Sequence, residues 1–397
     1  MIQNNKVSTA NKILFIIEAT LKTGAGKCAI ELIQRVHNCS EFTPIVVTQF
    51  SNDINILCSK IGIENYSTNY ARTCSLDMKR LGRLFFFLVR PFLNRFALNK
   101  LKKKIDFSQI CLIHSNAISI DFGAYLHKKT HIPHIWHVRD FLIFEKKWHS
   151  IIWNLPLYAE KNSSKIITVS KSLKNYLIQQ GCSNNSIVTI HDGVELPDIA
   201  KKEYITPSPQ KILNVACVGL ICEMKGQETL IDAIIRIPNE KRAFFKFHFF
   251  GEKDRKTIHH IRNKITENNL DDIILFHDFS SNIFSALVDM DIGVQPSHSE
   301  GFSRVTAEYM AAGLCVIAAK EGAIPELIQH RENGLLYEDY NVQELANLLL
   351  YCHENTEEMT KYAKKAHNDA WKKFNFENNY KKILNVYRET LNIQSKE

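Results

Sequence analysis

Across its 397 residues the chain has no two cysteines at CxxC spacing, no HExxH and no Cys/His cluster, so no redox dithiol or zinc site is proposed. The ten cysteines are scattered, and several, such as Cys217 and Cys315, sit inside apolar runs where a free thiol packs as a small hydrophobe. A disulfide framework is not expected in a chain of this size and composition, and a reducing, cytoplasmic setting is read instead. No apolar stretch approaches the roughly 20 residues needed to span a bilayer. The longest, Leu84 to Val89, is bracketed by Arg83 and Arg90. The first apolar run, Ile13 to Ile17, is stopped by Glu18 and is too short for the core of a signal peptide. The chain is therefore expected not to cross a membrane, though it can sit on one. Short-period repeats and low-complexity tracts are also lacking.

What remains is ordinary globular composition, 45% hydrophobic and 23% charged, in a length that suits two domains with sizeable cores. The net charge of +8 favours anionic partners: nucleotide phosphates, nucleic acid or an acidic lipid surface. Nine of the basic residues fall in one segment, Lys79 to Lys104, around the apolar runs Leu84 to Val89 and Phe92-Leu93. That clustering, with no recognition motif beside it, argues against nucleic acid. It suits an anionic membrane surface and access to a lipid-linked acceptor. The other reading is a helix, kinked at Pro91, whose phenylalanine face packs inward while its basic face is solvated.

Short apolar runs alternate with amphipathic segments, which predicts α/β layering with parallel sheets. Strands are expected at Lys12–Ile17, Ile45–Gln49, Ile110–His114, His134–Val138, Lys165–Val169 and Ile187–His191. Helices are expected at Lys27–Asn38 and Lys171–Gln180. The pattern lapses over Leu196–Gln210, where Pro197, Pro207 and Pro209 mark a linker. It restarts with strands at Ile212–Val218, Lys246–Phe250, Ile273–His277, Ile292–Gln295 and Cys315–Ala318, then Leu335–Tyr337 and a helical tail from Val342.

Three segments carry candidate chemistry. The first, Lys22 to Lys27, follows the first strand with Gly24 and Gly26 at a helix start, where backbone can approach an anion. A P-loop would need glycine at Leu21 and Ser or Thr at Cys28, so that reading fails, and a dinucleotide fingerprint meets Ala29. A tight turn without ligand stays open. The second, Val218 to Gly226, ends a strand at Gly219 and offers Lys225 to phosphate oxygens, with a merely solvated lysine as the alternative. The third, Pro296 to Gly313, reads PSHSEGFSRVTAEYMAAG and runs strand, loop, helix. It places Glu300 in the loop and Glu308 a turn and a half into the helix, with the amides of Gly301, Phe302 and Ser303 between them at a helix N-terminus. Solvated glutamates are the bland reading of such a pair. Asp289-Met290-Asp291 is a DxD tripeptide at a helix end, read as an ordinary turn rather than a metal site.

Glu300 to Gly313 resembles the signature of the retaining glycosyltransferases of family 4. Five further pieces occur in that family's order: Gly24 to Gly26, Trp136 to Asp140 (WHVRD), Thr168 to Lys171, His191 to Val194 and Asn333 to Leu336, with Val218 to Gly226 between the last two. The resemblance covers nearly the whole chain. It implies a GT-B fold, α/β with two Rossmann-like domains whose parallel sheets face across a cleft. The domains are drawn at 1–205 on the acceptor side and 206–375 on the nucleotide-sugar side, with a C-terminal helix at 376–397 packing back on the first. By the same resemblance, Lys225 holds the donor pyrophosphate, Glu308 the ribose and Glu300 the transferred sugar. Phe279 lies in the segment whose backbone reads the base, and His137 faces sugar and acceptor. Asn116 and Arg139, with Arg83, Arg90 and Arg95, fall on the acceptor or membrane side. Leu220 stands where the family usually has arginine, so one of two cationic phosphate contacts is missing unless a base such as Arg304 replaces it.

The activity implied is metal-independent, retaining transfer of a hexose-type sugar from a nucleotide sugar, UDP favoured, to a hydroxyl of a lipid-linked glycan. The implied setting is bacterial surface polysaccharide assembly, lipopolysaccharide or capsule, with no cofactor beyond the co-substrate. A hydrolysing nucleotide-sugar epimerase of the same fold, and a non-catalytic binding subunit of a partner transferase, are the alternatives.

Overall fold

The computed structural model describes residues 11–76, 80–141, 148–194, 211–252, 254–280 and 282–392, with Leu196 and Ser208. Its contacts divide into two compact units, Met1–His191 with Asn379–Glu397, and Asp192–Asn378. Nearly all of the expected Leu196–Gln210 linker lies outside the described residues.

The first unit runs β1 (Lys12–Ile17), α1 (Gly24–Asn38), β2 (Thr43–Thr48), α2 (Asp53–Lys60), β3 (Glu64–Ser67), β4 (Cys74–Leu76), α3 (Arg80–Lys102), β5 (Ile110–Ser115), α4 (Phe122–Thr130), β6 (His134–Val138), β7 (Trp148–Ser150), α5 (Leu155–Lys161), β8 (Lys165–Thr168), α6 (Lys171–Gln179) and β9 (Ile187–Thr189). Seven strands form one sheet in the order β3-β2-β1-β5-β6-β8-β9, and β4 pairs antiparallel with β7. Every neighbouring pair in the large sheet is parallel. Parallel strands covered by helices on both faces must be apolar throughout, and Ile13 to Ile17 are all buried.

The second unit runs β10 (Leu213–Val218), α7 (Gln227–Arg236), α8 (Asn239–Arg242), β11 (Phe245–Phe250), α9 (Arg255–Glu267), β12 (Ile274–His277), α10 (Ile283–Leu287), β13 (Ile292–Gln295), α11 (Arg304–Ala311), β14 (Cys315–Ala319), α12 (Ile324–Leu327), β15 (Leu335–Tyr337), α13 (Val342–Glu354), α14 (Thr356–Lys373) and the start of α15 (Phe376–Leu391). Its six parallel strands are ordered β12-β11-β10-β13-β14-β15, the doubly wound arrangement whose direction reverses between β10 and β13. Its core joins Leu213, Val215, Phe247, Phe249, Ile292 and Ile317 from the strands to Leu230, Ile234, Leu345 and Leu349 from the helices. Each such side chain contributes on the order of 1.5–3 kcal/mol by leaving water.

The α/β class with two parallel sheets agrees with expectation. Helix α1 begins at Gly24 rather than Lys27, because Thr23 caps it by accepting from the Gly26 amide. Strands β3, β4 and β7 were not anticipated. Asp291 of the DxD tripeptide is structural: its carboxylate takes the Asn214 amide at 2.9 Å and the Lys211 ammonium at 2.7 Å.

The last helix completes the first unit. Tyr380 hydrogen-bonds the Arg35 carbonyl at 3.1 Å, Arg388 makes a two-pronged contact with Glu41, and buried Tyr387 meets His114 Nδ1 at 2.8 Å.

Candidate active site

In a doubly wound sheet, ligands bind beyond the strand C-termini where the strand order reverses. In the second unit that point lies between the ends of β10 and β13, and the segments leaving those two strands carry Lys225 and Glu300. The Lys225 ammonium donates to Glu300 Oε1 at 2.7 Å, with the lysine partly exposed and the glutamate side chain mostly buried. Gln295, the last residue of β13, donates through Nε2 to the same carboxylate oxygen at 2.8 Å and to Ser297 Oγ at 2.7 Å. Glu300 is therefore held from two sides.

The loops are held by close backbone approaches. Gly226, which follows Lys225, has φ +65°, and a Cβ there would stand 1.8 Å from the Pro296 carbonyl oxygen. The His298 amide donates to the Met224 carbonyl at 3.1 Å, joining the two loops again. Gly322, between β14 and α12, has φ +53°, and its Cβ would lie 2.2 Å from the Glu300 carbonyl oxygen. That oxygen also accepts the Ala323 amide at 2.9 Å. Beside them the His298 ring donates from Nδ1 to Asp339 at 2.7 Å and stacks on Tyr340, centroids 3.9 Å apart.

Helix α11 opens at Arg304, with Ser303 as its cap in the left-handed region and no side-chain cap bond. Its N-terminus carries partial positive charge. Glu308 is its fifth residue, buried, and accepts from Arg304 Nε at 2.9 Å. The Phe302 ring packs edge-on against Phe374 inside the unit, so only its backbone is a candidate for a ligand. Tyr309 places its hydroxyl 2.6 Å from the Val218 amide, pinning the end of β10 just before Gly219. Phe279, beyond the end of β12, and Leu220 are both exposed. Gln295, Gly322 and Tyr309 were not singled out from the sequence. Gln295 carried the only available signal, a polar residue closing an apolar strand.

The first unit gathers its candidates at its own reversal point, between β1 and β5. Asn116 follows β5 and donates to the Ala25 carbonyl at 3.2 Å, inside the Gly24–Gly26 turn. Gly26 has no room for a Cβ, which would stand 1.9 Å from the Thr20 carbonyl oxygen, whereas Gly24 faces open space. Arg139 donates from Nε to Asn116 Oδ1 at 2.7 Å and from Nη2 to His137 Nδ1 at 3.4 Å. Since Nδ1 accepts, the proton of the neutral ring sits on Nε2, a buried atom with no hydrogen-bond partner among the described residues. Burial, followed by the Arg139 charge and His114, pushes the His137 pKa well below the usual value, so the ring is neutral at physiological pH. His114 packs edge-on to it at 5.3 Å and is likewise depressed, first by burial.

Of the arginines expected on the acceptor or membrane side, Arg95 is exposed and Arg83 half-buried. Arg90 departs from that expectation. It turns inward to Asp121 at 3.4 Å and lies over the Phe87 and Tyr158 rings, because the buried carboxylate needs a cation.

Residues 63–197 match the family described as Glycosyltransferase Family 4, and residues 198–369 the one described as Glycosyl transferases group 1. An uncharacterized glycosyltransferase of Methanocaldococcus jannaschii is 34% identical over 293 residues, spanning 72% of this chain and 78% of its own. The chain belongs to glycosyltransferase family 4. It is a glycosyltransferase of the GT-B type, and it is also similar to the amylovoran biosynthesis glycosyltransferase AmsK of Erwinia amylovora, 28% identical over 194 residues, 47% of this chain and 46% of that one. Among solved structures, Anabaena HepE in complex with UDP and glucose superposes with a TM-score of 0.77 over 95% of this chain and 99% of its own, at 22% identity, a likeness of fold. Among the described residues no group of three or more His, Cys, Asp or Glu side chains is placed to hold a metal ion, and no helix is long and apolar enough to cross a membrane.

Proposed function

We propose that this family 4 enzyme transfers a hexose-type sugar, with retention, from a UDP-sugar to a hydroxyl of a lipid-linked glycan during surface polysaccharide assembly at the cytoplasmic face of a membrane. The observation that carries the reading is the Lys225–Glu300 pair at the sheet reversal point, beside the N-terminus of α11. A diphosphate leaving group needs a cation and oriented amides, and the transferred sugar needs a fixed hydrogen-bond acceptor for its hydroxyls. When a donor enters, its phosphates take over the ammonium of Lys225, and Glu300 is released toward the sugar while Gln295 keeps it in place.

Glu308, buried and clamped by Arg304, is the ribose acceptor. Arg304 at the head of α11 supplies the second cation that Leu220 does not. The bond from C1 to the phosphate oxygen breaks as the acceptor hydroxyl attacks from the same face, and the hydroxyl proton passes to the departing phosphate oxygen. Positive charge builds on the sugar ring and negative charge on the phosphate, which Lys225 and the α11 amides stabilise without a metal ion. His137 is not the base, because Arg139 occupies Nδ1 and burial keeps the ring neutral; its Nε2–H is closed off in this structure and reaches an acceptor oxygen only when the side chains packed over it move. UDP in the HepE structure favours a uridine donor, and the AmsK relative favours a polysaccharide product.

The test is a thermal-shift series with UDP-, GDP-, ADP- and dTDP-sugars, with and without magnesium, followed by turnover of Glu300→Gln and Lys225→Ala. A metal-independent rise with UDP-sugars alone and a loss of at least about 100-fold in kcat for both variants are expected. Wild-type turnover in Glu300→Gln removes the assigned roles.

A further inference from the structure

Helix α3 is built inside out. Leu84, Leu88, Phe92 and Phe96 recur every four residues, about one turn apart, and so share one face. All four are exposed, with Phe92 72% and Phe96 69% accessible, and Phe85 beside them is 68% accessible. The opposite face carries the packing: Asn94, Ala97, Leu98 and Leu101 are buried, and Asn94 is bound to Asp121 at 2.7 Å and to the Ala71 amide at 2.8 Å. The alternative in which the phenylalanine face packs inward does not hold, since Phe85, Phe87, Phe92 and Phe96 are all exposed. Burying Asn94 beside Arg90 and Asp121 while leaving these large apolar side chains in water is unfavourable for an isolated protein.

The charge around this face is one-sided. Arg95, Lys100, Lys102, Lys103 and Lys104 follow or flank the apolar stripe and are exposed, and α3 itself contains no acidic residue. Helix α3 is not apolar enough to span a bilayer. An exposed stripe of Phe and Leu ending in a cluster of cations matches an anionic lipid leaflet, with rings seated among acyl chains and ammonium groups at headgroup phosphates. Pro91, which cannot donate to the Phe87 carbonyl, lets the stripe bend to follow that surface.

We propose that the outward face of α3 is a membrane-docking surface for anionic lipid, inserted shallowly and parallel to the bilayer plane. It deepens the reading of a lipid-linked acceptor and rests on it for purpose only, since the face exists whatever the donor chemistry. The experiment is vesicle flotation of the full chain with phosphatidylcholine alone or with phosphatidylglycerol added. It compares wild type with the triple variant F85S/F92S/F96S and with R95E/K102E/K103E.

Wild type is expected to float with anionic vesicles and to be released by high salt. Both variants lose at least tenfold in partitioning while keeping the wild-type melting temperature and UDP-sugar thermal shift. Equal partitioning of wild type and both variants overturns the proposal. So does size-exclusion chromatography showing a dimer of wild type that F85S/F92S/F96S dissolves while no chain binds vesicles, which makes the face a self-association surface. Loss of the donor shift in wild type itself defeats the functional reading and leaves docking to be judged by flotation alone.

Discussion

Replacing Gly322 by alanine tests whether the backbone around Glu300 sets the site. At φ +53° an alanine costs about 1–2 kcal/mol from the left-handed conformation alone. Its Cβ would stand 2.2 Å from the Glu300 carbonyl oxygen, against an ordinary contact of about 3.4 Å, so the loop must move by about 1 Å. That shift takes away the Ala323-to-Glu300 hydrogen bond, 2.9 Å in the structure and worth about 0.5–1.5 kcal/mol. The sum is about 2–3 kcal/mol, or a melting temperature lower by roughly 5–10 °C for a unit of this size. A 1 Å displacement also stretches the Gln295 contact that keeps Glu300 in place, 2.8 Å in the structure, past hydrogen-bonding range. Misplacement on that scale costs on the order of 100-fold in kcat/KM. Calorimetry gives the first quantity and initial rates with a UDP-sugar the second. A variant melting within about 1 °C of wild type with kcat/KM within about twofold refutes the argument that Gly322 fixes Glu300.

Tyr309→Phe leaves the Val218 amide without its 2.6 Å partner and should lower stability by about 1–3 kcal/mol in urea unfolding. Asp121→Ala strands the guanidinium of Arg90 and removes the partner of Asn94 and Tyr158, a loss of about 3–5 kcal/mol, whereas exposed Arg95→Ala should stay within about 0.5 kcal/mol. Acid should destabilise the first unit early. Burial depresses the pKa of His114, His134 (to about 3) and His137, so below about pH 6.5 the unfolded chain binds protons that the folded one refuses. Stability then falls by up to about 1.4 kcal/mol per pH unit for each ring, and urea midpoints at pH 7 and pH 5 measure it. Glu308→Gln should weaken UDP-sugar binding at least tenfold with a smaller change in kcat, read by titration calorimetry and steady-state rates.

Much of the architecture was legible because parallel strands buried on both faces announce themselves as apolar runs. Strands β1, β6 and β13 begin and end where the sequence reading placed them. Strand β3 was missed because Glu64-Asn65-Tyr66-Ser67 is an edge strand, half-buried and without an apolar run. The three-residue β4 and β7 are defined only by each other. At the candidate site, Lys225 and Glu300 could be named from local pattern and family resemblance. Gly322 and Tyr309 could not, since their relevance lies in a carbonyl and an amide far along the chain. Arg90 and Arg95 look alike in sequence, and only the folded position of Asp121 separates the buried one from the surface one.

The chain leaves its first unit near His191 and returns to it after Asn378. On the ribosome, therefore, the unit that emerges first is the last to be completed. Its sheet can form early, but Phe42, His114 and Arg35 wait for Tyr387 and Tyr380, made only after the whole second unit. A chain truncated before Asn379 and released should thus contain a finished second unit and a protease-sensitive first one. A C-terminal deletion of modest length would damage the N-terminal fold rather than trim a tail.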